Sequence, residues 1–229
     1  MKILVFFLIG GFLVTESCFA QGNFQNLGFE NANVSSFAPG ASVPTISAFP
    51  GWQALIGGIP TSQVPYDDET LGAASIDLFD NKSGYTPLQG NYTAFLQSAM
   101  IPIMSTAVAL SQTGTIPIGT QSIELYANQE EGSTFTVTLS GQTINMVALQ
   151  SFSSYTLYGG NVSAWAGQSA NLTITELPPS NEEFSPCLLQ LDNITFSTTS
   201  VPETDPFILT GLGGTLFALY RRFAPKRCS

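Results

Sequence analysis

Apolar and polar residues alternate through most of the middle of this chain. In residues 134–139, Phe135, Val137 and Leu139 fall on one side and Thr134, Thr136 and Thr138 on the other, the period of two that marks a half-buried strand. Ile123, Leu125 and Ala127 repeat the pattern in 121–127, and Leu172 and Ile174 repeat it in 171–176. Leu27 and Phe29 predict an opening strand, and further strands are predicted at 73–79, 92–98, 105–113 and 143–149, the last pairing with 134–139 across Ser140-Gly141-Gln142. Residues 150–162 bring Phe152, Tyr155, Leu157 and Tyr158. In 188–197, Leu189 and Leu191 share one face, whereas Ile194 and Phe196 fall on the opposite parity. A bulge at Asp192-Asn193 returns all four to one core. Residues 31–58 are rich in Pro and Gly and read as loop, with Pro50-Gly51-Trp52 a turn followed by a large aromatic; 65–70, with Asp67, Asp68 and Glu69, reads as an exposed acidic loop. Sustained helical spacing is missing. Many short strands between turn residues predict an all-β fold, a single antiparallel jelly-roll β-sandwich over 21–197.

The two ends read differently. Residues 1–20 combine Lys2, an apolar stretch over 3–14 and Cys18-Phe19-Ala20 before Gln21, the layout of an export signal peptide. At the other end, 198–205 form a linker. An uncharged run over 207–220 follows Pro206 and closes with Arg221 and Arg222, and 223–229 form a basic tail. As a helix the run spans about 20 Å, short of a hydrocarbon core of about 30 Å. The flanking basic residues predict a membrane helix over 206–222 with a cytoplasmic C-terminus. Val201, Pro202 and Glu203, the apolar run, and Arg221 and Arg222 together resemble the PEP-CTERM sorting signal. Thr204 stands where that signal commonly has proline, and the basic end runs on to Ser229. The resemblance implies an exported bacterial protein held at the membrane, processed by an exosortase-type membrane protease, and destined for the cell surface or extracellular matrix.

Charge and composition narrow the function. Residues 21–200 carry thirteen acids and one base, Lys82, a net charge of −12. A domain with one cation cannot neutralise a phosphate backbone, which excludes nucleic acid as a partner. The chain has no histidine, so Ser-His-Asp and Cys-His chemistry are excluded as well. Of Cys18, Cys187 and Cys228, only Cys187 lies in the domain, where a lone cysteine reads as a small buried apolar residue.

Asn26-Leu27-Gly28-Phe29-Glu30, Pro50-Gly51-Trp52 and Leu191-Asp192-Asn193-Ile194 are similar to the galactose-binding-like jelly roll of carbohydrate-binding modules. That resemblance implies a structural calcium ion between the first and last strands, at Glu30 and Asp192. The alternative for both is a turn carboxylate bonded to backbone N–H groups. Sugar binding needs aromatic faces beside polar groups. Trp52 and Trp165 sit in apolar surroundings and read as core; Tyr66, Tyr85, Tyr155 and Tyr158 lie near turns and read as surface candidates. A glycosidase needs two carboxylates across one bond, and Asp67-Asp68-Glu69, Glu130-Glu131 and Glu182-Glu183 qualify only by residue type. The reading is a non-catalytic exported protein that binds carbohydrate; the alternatives are a purely structural or adhesive surface protein and, third, a glycoside hydrolase.

Overall fold

The computed structural model describes residues 23–202 except 69–71, 82–83, 85, 102–103, 131 and 179–186. Along these residues run fifteen strands: β1 (Ala41–Pro44), β2 (Gln53–Ile56), β3 (Ile59–Thr61), β4 (Gln63–Tyr66), β5 (Ser75–Asp80), β6 (Tyr92–Ile101), β7 (Met104–Thr106), β8 (Val108–Thr115), β9 (Ser122–Gln129), β10 (Thr134–Leu139), β11 (Gln142–Ile144), β12 (Val147–Ser151), β13 (Thr156–Asn161), β14 (Ser169–Leu177) and β15 (Cys187–Ser197). Among the described residues helix is confined to the four-residue α1 (Thr45–Ala48) and a three-residue 3-10 turn at Ser163–Trp165. Among the described residues no helix is long and apolar enough to cross a membrane. The leader and the residues from Glu203 onward, with Arg221 and Arg222, lie outside the described residues.

The strands form two sheets, giving the all-β sandwich that the alternation predicts. One sheet runs β1-β4-β5-β6-β15-β9-β13-β12, with β7 paired to β6; the other runs β11-β10-β14-β8-β2-β3. All pairings but β4 with β5 are antiparallel among the named strands. Between the sheets lies one core, to which β9 gives Ile123, Leu125 and Ala127, β14 gives Leu172 and Ile174, and β10 gives Val137 and Leu139. β15, the last strand, sits in the middle of the larger sheet, between β6 and β9.

The predicted bulge is present in β15. Asp192 pairs with Tyr126 and Thr195 with Glu124, so Asn193 and Ile194 together oppose Leu125. Asn193 takes a left-handed conformation, φ 45°, which Asn tolerates better than most residues. The extra residue restores parity: Leu189, Leu191 and Ile194 are all buried in the core, and Phe196 packs against it.

Three expectations change. The opening strand at Leu27 and Phe29 is a loop instead. Asn26 and Phe29 have φ of 51° and 59°, and the Asn31 N–H donates to Asn26 Oδ1 at 2.9 Å, closing the loop on itself. Phe29 is fully buried, edge-on to Phe49 at 5.8 Å and tilted on Trp52 at 5.8 Å. The stretch 31–58, read as loop, holds β1, α1 and β2. Residues 143–149 divide between the sheets. Leu139 faces Gln142, so the β10–β11 turn is the two residues Ser140-Gly141, both at positive φ, as the right-handed twist of a tight hairpin favours. The chain then crosses at Asn145-Met146 to start β12. β13 makes room for that crossing: a Cβ on Gly160 would collide with Ile144 Cγ2 and stand 2.7 Å from Met146 Sδ. Gly160→Val is therefore expected to lower stability by about 1–3 kcal/mol through overpacking, seen as a lower urea midpoint with an unchanged slope.

Candidate functional site

Two places carry chemistry: a part-exposed group of rings on the outer face of the larger sheet, and a pair of carboxylates, buried Asp192 and exposed Glu30, where the first loop meets the last strand.

The rings arise from strand alternation. On β9, Ile123, Leu125 and Ala127 point into the core, so Glu124, Tyr126 and Asn128 point outward, half-buried or exposed. On β13, Leu157 pairs with Tyr126 and therefore faces outward, as does Tyr155 two residues earlier. The β12–β13 hairpin closes with the Phe152 N–H donating to the Tyr155 carbonyl at 2.8 Å. Tyr126 and Tyr155 stack at 4.2 Å and 23°, and Phe152 also contacts Tyr155, at 4.7 Å and 31°. Phe152 is 43% exposed. Alongside, Asn128 Nδ2 donates to Gln190 Oε1 at 3.3 Å. Burial, and then the neighbouring Tyr126 hydroxyl, push the Tyr155 hydroxyl up, so it is neutral across the physiological range. Three rings in series with two amides and a carboxylate, Glu124, make a stacking platform with polar groups at its edges.

Of the three described tyrosines expected at the surface, Tyr155 alone joins this platform. Tyr66 is a correction: it is 2% exposed, and its hydroxyl donates to Asp80 Oδ2 at 2.7 Å. Burial first, then that bond, push its ionisation up. The acidic loop begins there as strand β4, and Asp67 turns back to accept the Asp80 N–H at 2.8 Å. Tyr158 is also corrected. Alternating with Leu157, it faces the interior, edge-on to Phe135 at 5.3 Å and 88°, with its hydroxyl donating to Gln129 at 2.9 Å. Tyr85 lies outside the described residues. Trp52 is core, its indole N–H donating to the Asn26 carbonyl at 3.0 Å, and Trp165 packs half-buried against the core. Tyr126 and Phe152 escaped the sequence reading of the site. The signal for Tyr126 was there: it is the one aromatic at an outward position of a strand whose inward positions are Ile, Leu and Ala.

Glu30 and Asp192 do come together, around the segment that leads into β6. Asp192, fully buried, accepts the Gln89 N–H on Oδ2 at 2.9 Å and the Asn193 N–H on Oδ1 at 2.7 Å. Glu30 accepts the N–H groups of Asn91 and Tyr92 on Oε1 at 2.8 and 3.2 Å, and Asn91 Nδ2 on Oε2 at 2.9 Å. Gly90 lies between, at φ 66°, with the Glu30 carboxylate where its Cβ would be. Burial pushes the Asp192 carboxyl up to about 7, opposed by the N–H groups of Asn193 and Gln89 and helped by the charge of Glu30.

A second buried acid, Glu176, stands elsewhere. It points inward from β14, receives the Ser133 hydroxyl on Oε1 at 2.6 Å, and leaves Oε2 without a partner. Burial pushes it up to about 7 against that bond. Cys187 is a buried free thiol, raised by burial and next by Glu176. Glu176 thus lies near the Cys187 end of β15, whereas Asp192 is five residues further along that strand. Among the described residues no group of three or more His, Cys, Asp and Glu could hold a metal ion.

No family model matches the chain, and no curated protein matches it. Among solved structures it is similar to TmCBM61 in complex with β-1,4-galactotriose, with 11% sequence identity and a TM-score of 0.47 over 78% of this chain and 99% of that one.

The buried acids set a pH dependence. Asp192 and Glu176 are both raised in the folded protein above the value of about 4 in an unfolded chain. The folded state therefore holds more protons between about pH 4 and pH 7, and stability falls as pH rises through that window and levels off above it. The thermal midpoint is expected to be higher at pH 5 than at pH 8. Glu176→Gln, which cannot ionise, is expected to flatten the drop; a midpoint that rises with pH would contradict the assignment.

Proposed function

We propose that this chain is an exported, non-catalytic module of the galactose-binding-like kind that binds neutral polysaccharide on the Phe152–Tyr155–Tyr126 platform. The observation that carries the reading is that platform: three rings in contact, Phe152 exposed and Tyr126 and Tyr155 half-buried, on a sheet whose opposite face forms the core. Aromatic faces take up the C–H faces of sugar rings, and amides such as Asn128 and Gln190 take up hydroxyls. Charge selects among glycans. The domain has thirteen acids and one base, and Glu124 shares the outer face with the rings, so a uronic or sulfated chain meets repulsion with no cation to offset it. The leader and the PEP-CTERM-like tail, from Val201, Pro202 and Glu203 to Arg221 and Arg222, support delivery to the cell surface or matrix through an exosortase-type protease.

The test is retardation in native gels containing neutral galactan, glucan or mannan, with alginate and pectate as the anionic set. Retardation is expected with a neutral polymer. Phe152→Ala and Tyr155→Ala are each expected to weaken it about tenfold, or about 1.4 kcal/mol, without changing the melting temperature by more than a few degrees. No retardation by any neutral polymer, or retardation that both variants keep, would move the reading to a structural surface protein.

A further inference from the structure

The resemblance of Asn26–Glu30 and Asp192 to a calcium-holding jelly roll makes a demand that the donor set here does not meet. Calcium takes six to eight oxygens. Each of the four carboxylate oxygens of Glu30 and Asp192 already accepts at least one N–H, and Glu30 Oε1 accepts two. Three carbonyls of the loop are engaged as well. Asn26 O accepts the Trp52 indole and the Phe29 N–H at 3.0 and 3.2 Å, Leu27 O accepts the Ile194 N–H at 3.0 Å, and Phe29 O accepts the Ala32 N–H at 3.2 Å. The unpartnered polar atom nearby is Asn26 Nδ2, a donor, which a cation would repel. N–H groups aimed at the carboxylates supply partial positive charge where an ion would sit, and they do so from backbone that is held by the fold.

We propose that in this protein the backbone N–H groups of Gln89, Asn91, Tyr92 and Asn193 take the place of the ion, so that the first loop, the turn before β6 and the bulge of β15 are joined by a metal-free carboxylate clasp. The geometry is specific to that solution. Gly90 brings the backbone flat against Glu30, and any Cβ there would displace the carboxylate. The bulge turns the Asn193 N–H back onto Asp192.

The experiment is calorimetry of the full chain at pH 7.5 with millimolar calcium chloride and with EDTA. The melting temperatures are expected to agree within about 1 °C, and titration with calcium alone is expected to give no saturable heat. Glu30→Gln keeps one acceptor and loses the charge; it is expected to lower the melting temperature by about 5 °C in both buffers. Gly90→Ala leaves the charge in place and is expected to do the same. Should either variant fail to fold, amide exchange of the wild type decides: Gln89, Asn91 and Tyr92 are expected to be equally protected in both buffers. A melting temperature raised by calcium, with one ion bound per chain and the effect lost in Glu30→Gln, would overturn the proposal. So would protection of those amides that appears only with calcium.

Discussion

The fold depends on how its two ends are tied. β15 is the last strand and the centre of the larger sheet, so the sheet is completed only when the end of the domain is in place. What fixes it there is a set of hydrogen bonds to two carboxylates at the bulge. Asp192 holds the Gln89 N–H, and Glu30 holds the next amides of the same turn, while the Ile194 N–H reaches back to the Leu27 carbonyl. Backbone N–H groups outside the ladder need acceptors, and here the carboxylate oxygens of Asp192 and Glu30 supply them. The same residues carry the strained backbone: Asn26, Phe29 and Asn193 all have positive φ. Local conformational cost is concentrated where three segments far apart in sequence are joined, and the burial of Phe29 against Phe49 and Trp52 offsets it.

The ring platform follows from that arrangement. With β15 central, β9 and β13 lie beyond it, and their outward positions form a surface at the β12–β13 end of the sheet. The tight hairpin turn from Phe152 to Tyr155 sets two rings beside Tyr126, and each ring is supported by the next. Rings so supported lose little side-chain freedom when a ligand arrives. The surface around them holds amides, hydroxyls and acids, a setting suited to a neutral hydroxylated polymer.

Much of the architecture was legible in the sequence, because a period of two needs only one strand to be seen. The alternation in 134–139 and 171–176, and the parity break at Asp192-Asn193, correspond to β10, β14 and the bulge in β15. The site was less legible. Tyr66 and Tyr158 lie near turns, as Tyr155 does, yet their direction is set by pairing partners: Tyr158 faces Leu125 across the ladder and so points inward, while Tyr126 faces Leu157 and points outward. Leu27 and Phe29 alternate as a strand would, but Asn26 and its contact with Asn31 turn the backbone first. The change of sheet at Asn145-Met146 rests on Gly160 in a distant strand, which local pattern does not reveal.

The most direct measurement is a map of backbone chemical-shift changes when a neutral oligosaccharide is added to the isotopically labelled protein. The changes are expected to gather at residues 124–128 and 150–157, with Tyr126, Tyr155 and Phe152 at their centre and the amides of 89–92 unmoved. Changes centred on the loops around Asn26 or Gly90, or none at saturating sugar, would contradict binding on the ring platform.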